Sequence, residues 1–408
     1  MKLYKNVLNI LIILFIVLYP ILPSYGAINS DLILYSLFLV QLLGFIVLKK
    51  ERQTVLENIS LLLKDKIFIS LSLLNIIMYA STIIAIDKKV TIVNSIRFSM
   101  YIFIYYSISY KLNGRNIFRI LLNSFLGVAI LSSLVSIFQL FKQIFSNISL
   151  DEEHRISSFW ENSNNLGAYT ILSLFIVLLL LLNSKKRYEK VSLFIISILL
   201  ISNIILSQSR NALLALLFGS VLIAIVYDKR FIIASIILPI ILLIIPQSRI
   251  RLLDIFSLDQ NSTRFKIWKS AILMIKDNLL FGLGYENFSS AYPNYIYHNQ
   301  DLMIHGSYKA LHPHNIFLKI QVELGVLGSI FFILFLILTL LSLIFYIKSC
   351  KNIKSKAILI GVTISFISFQ FMNLLDCYYN SLKVIITMFI ILSLARCCIN
   401  ININNKLS

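Results

Sequence analysis

Long apolar runs, nearly free of charge, alternate along the chain with short basic or polar breaks. Inside each run the apolar residues are continuous and do not alternate with polar ones, which is the pattern of a helix in lipid and not of a barrel strand. An α-helix rises about 1.5 Å per residue, so about 20 apolar residues cross ~30 Å of hydrocarbon. Twelve runs approach that length: 7–23, 30–48, 67–86, 90–110, 117–141, 166–183, 191–207, 210–227, 231–246, 316–347, 356–375 and 382–399. They predict an all-α polytopic membrane protein of about 12 transmembrane helices. The run 316–347 is long enough to tilt or to project beyond the bilayer.

Two connections, 142–165 and 247–315, are longer than the topology needs. Long loops in compact proteins usually carry function. In the second loop, residues 263–277 are amphipathic at ~100° per residue. Phe265, Ile267, Trp268, Ala271, Ile272, Met274 and Ile275 fall on one face, and Lys266, Lys269, Ser270, Lys276 and Asp277 on the other. This reads as a helix lying in the membrane interface. No repeat, low-complexity tract or Gly/Ser linker interrupts the chain, so residues 1–408 read as one integral membrane domain.

Composition agrees with the pattern. Of the 408 residues 58% are hydrophobic and 13% charged, against about a quarter charged in a soluble domain. The net charge of +19 does not point to nucleic acid, because no basic stripe with stacking aromatics lies in a polar segment. Lys and Arg crowd cytoplasmic loops instead. With the N-terminus inside, the basic clusters from Lys2/Lys5 through Lys185–Lys190 to Arg396/Lys406 face the cytoplasm and hold 22 of the 37 Lys and Arg. Both termini then lie inside, and the loops 142–165 and 247–315 lie outside. The basic start and the small residues at Ser24–Ala27 resemble a signal peptide, but a retained first span completes this topology. Cys350, Cys377, Cys397 and Cys398 form no metal-spaced pair, so neither a zinc site nor a disulfide scaffold is expected.

Candidate chemistry clusters where predicted helices begin at the outer face. Ser209-Arg210-Asn211 opens the eighth span. A helix N-terminus offers unpaired N–H groups and partial positive charge, and Arg210 adds a guanidinium, so anions are favoured there twice over. Taken alone, Arg210 reads equally as an interfacial Arg reaching for headgroups. Arg264 falls near the centre of the apolar face of 263–277, where a charge is costly unless it meets an anion or bends away to water. Leu311-His312-Pro313-His314-Asn315 opens the tenth span, which also carries Glu323, Gly325 and Gly328. A neutral His at a helix N-terminus suits a general base, although an interfacial His with a structural hydrogen bond explains the same residue. His298, His305, His312 and His314 lie close in sequence, but their spacing fits no defensible ligand pattern, so no metal is expected. Arg97 and Glu323 lie inside spans and read as partners of one another.

These residues resemble the O-antigen ligase family, which includes related polysaccharide polymerases and protein O-oligosaccharyltransferases. The similarity is carried by His314-Asn315 separated by nine residues from Gly325, with two further residues before Gly328, and by the Ser209-Arg210 helix start. Thr263-Arg264 through Trp268, followed by Gly282-x-Gly284-x-x-x-Phe288, is a further match. Arg155 to Gly167 resembles a family stretch, retaining Asn164 and Gly167 but placing Ser158 and Ser163 where Gly and Pro are usual. The matches cover about 155–330; the first 140 residues match only as generic spans.

The resemblance implies a glycosyltransferase C-type helical bundle in the bacterial cytoplasmic membrane, with an extracytoplasmic active site. It implies an undecaprenyl-diphosphate-linked glycan donor and no metal or cofactor. His314 would take the acceptor's hydroxyl proton. Arg210 and Arg264 would neutralise the diphosphate, with Arg155 and Arg97 as weaker candidates and Asn315, Glu323, Asn164 and His312 in support. The acceptor, a glycan, a lipid or a protein, is not readable. Membrane lipids are the other expected partners, and nucleic acid is not one. The rival class is a transporter or flippase of lipid-linked oligosaccharide, which twelve spans fit equally. Neither the internal repeats nor the helices broken at midplane that transporters often show are visible in the sequence.

Overall fold

A computed structural model describes residues 2–24, 29–112, 114–151, 154–254, 258–304 and 306–407. His305 and most of the small-residue segment ending at Ala27 lie outside the described residues. Sixteen α-helices and no β-strand occur among the described residues. The first half holds α1 (Lys2–Ile21), α2 (Ser30–Val47), α3 (Lys49–Leu62), α4 (Lys66–Ala80), α5 (Lys88–Tyr106), α6 (Arg115–Phe145), α7 (Ser163–Leu182) and α8 (Arg187–Ser207). The second half holds α9 (Arg210–Val226), α10 (Ile232–Ile244), α11 (Pro246–Leu253), α12 (Leu258–Asp277), α13 (Phe288–His298), α14 (Ile316–Ser349), α15 (Ile353–Met372) and α16 (Leu382–Leu407).

Every predicted run contains a helix, yet the count of twelve spans is coarser in the structure. Nine helices among the described residues are long and apolar enough to cross a membrane, or ten if α10 and α11 form one span bent by 101°. Pro246 supplies the bend: it opens α11 and forces the preceding Ile245 into extended backbone. Helix α9, at 17 residues, is apolar but shorter. Helix α5 falls below the others because it carries Lys88, Lys89 and Arg97, and its last turn widens to a π-turn over Ser107–Lys111. The polar stretch after α2 is an additional helix, α3.

Helix α7 is the axis of the bundle. It is apolar around nearly its whole circumference and is enclosed by α8, α9, α15 and α16, as a helix without a polar face must be. Most of the outer helices keep exposed Leu, Ile and Phe side chains, which in water would cost about 25 cal/mol per Å² and in lipid cost nothing. The chain is therefore an integral membrane protein.

Two expectations need correction. No broken helix is visible in the sequence, yet the helix over 316–347 is interrupted. Gly325 breaks it, with φ of 63°, and a Cβ there would stand 2.2 Å from the Leu280 carbonyl oxygen. The groups freed by the break are taken by the incoming loop: Leu283 N–H donates to the Val322 carbonyl (2.9 Å), Gly284 N–H to that of Glu323 (2.9 Å), and Val326 N–H to that of Leu279 (3.1 Å). Nor do Arg97 and Glu323 pair. Arg97 meets Asp31 of α2 at 3.1 Å, and Glu323 meets Lys319, one turn before it, at 3.3 Å. For Glu323, a partner one turn away on the same helix outcompetes a distant one, because bringing it into place requires no further folding of the chain, while Arg97 meets the acid on the neighbouring α2.

The loop 247–315 folds into α11, α12 and α13 and owns a small core built on Ile267, Ala271, Met274, Phe288, Tyr292 and Ile296. Its buried stripe is rotated from the expected face: Ser270 is buried, whereas Phe265 and Ile272 are exposed. The rotation follows from α12 packing on α13 and α14 as well as facing outward.

Candidate functional site

Ser209 caps α9, its hydroxyl accepting the Ala212 N–H at 3.4 Å. The start of α9 lies against the start of α7, and a Cβ on Gly167 would come within 2.7 Å of the Ala212 Cβ. Gly167 thus allows the Asn164 and Arg210 segments to meet. Arg155 is on the loop leading into α7 and donates to the Asn164 Oδ1 at 3.3 Å. That loop is tied to the end of α8 through Ile156 N–H to the Leu206 carbonyl and the Gln208 amide to the Leu150 carbonyl.

Arg210 and Arg264 line one pocket of about 210 Å³ together with Asn211, Leu214, Phe265, Trp268 and Leu375. Two guanidinium groups from elements 54 residues apart in sequence (210 and 264) share this cavity. Arg210 also donates to the Asp254 carbonyl at 3.2 Å, which steadies its side chain at the rim.

Next to Leu375 in the chain is Asp376, which takes the site to His314. The Asp376 Oδ1 stands 3.0 Å from His314 Nδ1. His314 holds a left-handed backbone (φ 49°), and its own N–H donates to His312 Nδ1 at 3.3 Å. A positive φ is strained for a residue with a Cβ, and such strain persists only where the surroundings fix it. Here Asn315 fixes it on both sides. Its Oδ1 caps α14 by accepting Phe317 and Leu318 N–H, while its amide donates to the Leu374 carbonyl at 3.0 Å. Ile316 N–H continues the staple onto the Asn373 carbonyl at 2.9 Å. From the same turn Tyr378 receives the Asn211 amide at 3.3 Å, closing the circuit back to α9.

Electrostatics act on His312 and on Asp376. Burial pushes His312 down to about 4, against the upward pull of Asp376, and the charges of His314, Lys319 and Arg264 push it further down. Burial alone would raise the Asp376 carboxyl, but the hydrogen bond from His314, the neighbouring histidine charges and the Cys377 N–H hold it below its ordinary value. With Nδ1 of His314 facing a carboxylate, its Nε2 is left to accept a proton.

His312, His314 and Asp376 place three ligand atoms within 4.8 Å of one another, so they are the residues that could hold a metal. The arrangement fits an ion poorly. The 3.0 Å contact between Nδ1 and Oδ1 consumes a lone pair that a metal would need, and Arg264 and Lys319 act on His312 as positive charges that would repel a cation.

Beneath this cluster, Glu323 is fully buried and holds the incoming loop by accepting the Glu286 N–H (2.9 Å) and the Phe288 N–H (3.3 Å). Lys319, also buried, reaches Glu286 at 2.5 Å. Arg97 does not line the Arg210–Arg264 pocket; besides Asp31 it donates to Asn94 at 2.9 Å. The residues that sequence reasoning missed are Asp376, Tyr378 and Lys319. Asp376 lies 62 residues from His314, and its one signal was that it is the lone acid between the last two apolar runs. Lys319 stands four residues before Glu323, a spacing at which opposite charges on a helix meet.

No curated protein matches the chain. A family model, described as O-antigen ligase, matches residues 195–333. That stretch runs from α8 to the middle of α14 and contains Arg210, Arg264, His312, His314, Asn315 and Glu323, but not Arg97, Arg155, Asn164 or Asp376. The match points to glycan transfer of the ligase or polymerase type. Carried by the stretch that holds Arg210, Arg264 and the histidine turn, the match makes residues 195–333 similar to the O-antigen ligase family.

Proposed function

We propose that the chain transfers a glycan from an undecaprenyl-diphosphate carrier to an acceptor hydroxyl at the extracytoplasmic face of the membrane. The observation that carries this reading is the placement of Arg210 and Arg264 in one pocket walled by Leu375, the residue next to the carboxylate that holds His314. The acceptor hydroxyl gives its proton to His314 Nε2 as its oxygen forms the bond to the anomeric carbon. The bond from that carbon to the diphosphate oxygen breaks, and the carrier leaves as undecaprenyl diphosphate. Cations placed where negative charge develops lower the barrier most, and that is the role of Arg210 and Arg264. Asp376 orients the imidazole and balances the positive charge it acquires.

Arg155 with Asn164 sits at the adjoining helix start, suited to hold a further part of the donor. His312 buttresses the His314 turn, and Asn315 and Glu323 position it from below. Arg97, neutralised by Asp31, fits a bundle-stabilising role better than diphosphate binding.

Incubating purified protein with lipid-linked oligosaccharide and glycan, lipid and protein acceptors tests the reading, with His314→Ala in parallel and EDTA in a further arm. Product from wild type alone, unaffected by EDTA, supports it, and the acceptor consumed names the subtype. Loss of product on chelation would reassign His312, His314 and Asp376 to a metal. Movement of labelled carrier across proteoliposomes without any product would instead establish a flippase.

A further inference from the structure

A larger cavity than the two-arginine pocket lies away from this site. It encloses about 630 Å³ between α6, α7, α8 and α15. Its inner walls are apolar, formed by Leu126 and Ile130 of α6, Leu180 of α7, Ile196 of α8 and Ile358 of α15. Its mouth is basic, with Arg119, Lys186 and Lys354 against the single carboxylate of Glu189. Lys354 is already paired with Glu189 at 2.7 Å, which leaves the mouth with an excess of positive charge from Arg119 and Lys186. Helices α6, α8 and α15 all begin at this mouth, at Arg115, Arg187 and Ile353, and α7 ends there at Leu182, so positive helix ends outnumber the negative one and add to the side-chain charge.

The cavity lies at the opposite end of the bundle from the histidine turn. Helix α8 begins beside it at Arg187 and ends at Ser207 next to Arg210; its 21 residues span about 30 Å. Helix α15 likewise begins here and ends at Met372, just before the turn that carries Asp376. The groove therefore faces the other leaflet and takes no part in the transfer chemistry.

A cationic mouth above an apolar trough, set at one end of a helical bundle in lipid, is complementary to a molecule with a phosphate head and hydrocarbon tails. The groove floor is open at Gly127: a Cβ added there would meet no atom within 4 Å. A free anion has no use for such a trough, and a neutral lipid has no use for the charged mouth. We propose that this groove binds an anionic phospholipid of that leaflet, its phosphate between Arg119, Lys186 and Lys354 and its acyl chains against Leu126, Ile130, Leu180 and Ile196.

Native mass spectrometry of the purified full chain titrated with dioleoylphosphatidylglycerol or dioleoylphosphatidylcholine tests this. Each cation near a phosphate headgroup contributes about fivefold in affinity. Arg119→Gln/Lys186→Gln, which spares the Lys354–Glu189 pair, is expected to weaken phosphatidylglycerol retention about 25-fold, with the unfolding temperature checked in the same sample. Gly127→Trp keeps every charge and fills the trough. It is expected to abolish retention as well, and wild type is expected to prefer phosphatidylglycerol to phosphatidylcholine. Equal retention by wild type and both variants would overturn the proposal. Loss in the charge variant but not in Gly127→Trp would show headgroup attraction without a groove and would also overturn it. Complete displacement of the lipid by millimolar inorganic phosphate would do the same, assigning the mouth to a free anion.

Discussion

Replacing Asp376 by Asn separates the shape of the histidine turn from its charge. The side chains are nearly isosteric, and the amide oxygen can keep both contacts that Asp376 Oδ1 makes, to His314 Nδ1 at 3.0 Å and to the Cys377 N–H at 2.9 Å. What disappears is a buried negative charge beside the ring that becomes positive in the transition state. Opposite charges about 4 Å apart interact by about 4 kcal/mol at an effective dielectric of about 20. If most of that develops only as His314 takes the proton, kcat falls about 10²- to 10³-fold, each tenfold being about 1.4 kcal/mol. This lies within the range general-base catalysis supplies. KM for the lipid-linked donor should change by less than about threefold, because a change felt only in the transition state leaves ground-state binding alone and Arg210 and Arg264 are untouched. Initial rates over a range of donor concentrations measure both quantities, with the unfolding temperature in detergent as a control. A variant that keeps more than about a tenth of wild-type kcat, or that loses activity mainly through KM, would refute the proposed role of this carboxylate.

Arg210→Ala and Arg264→Ala are each expected to reduce transfer about 10²- to 10³-fold with normal membrane insertion; undiminished product from either would remove that arginine from the diphosphate site. His312 is held at about 4 where 6.5 is ordinary, so the unfolded chain takes up a proton at this residue before the folded one does. Stability is therefore lost as pH falls from about 6.5 to about 4, by about 3 kcal/mol. His312→Gln should flatten that dependence, read as unfolding temperature between pH 7 and pH 4.5, and an unchanged slope would contradict the burial argument. Gly325→Ala would place a Cβ 2.2 Å from the Leu280 carbonyl at a φ of 63°. The variant is expected to lose at least about 1–3 kcal/mol of stability, whereas a wild-type unfolding temperature would show that the break in α14 is not required.

The helices were legible because a span in lipid must be apolar over its length, so α7 at 163–182 and α16 from 382 appear within a few residues of the runs that announced them. The candidacy of Arg210, Arg264 and His314 was legible because each stands at or near a predicted helix start, where a charge or a titratable ring needs a reason. Charge pairing was not legible. Arg97 and Glu323 were matched with each other only because both were unaccounted for, while their partners Asp31 and Lys319 looked like ordinary helix-end charges. Asp376 escaped for a related reason: a lone acid in a short connection says nothing of a histidine 62 residues earlier until α14 and α15 are packed side by side. The kink at Gly325 was hidden because glycine inside an apolar run is common in membrane helices, and only the loop at 279–284 gives the break its hydrogen bonds.

The central claim is a division of labour, in which the two arginines hold the diphosphate and His314 moves the proton. The most direct test compares carrier binding and single-turnover transfer in His314→Ala, using labelled lipid-diphosphate oligosaccharide. The account predicts wild-type affinity for the carrier and transfer slowed by at least about 10². Transfer at the wild-type rate, or affinity lost in step with the rate, would contradict it.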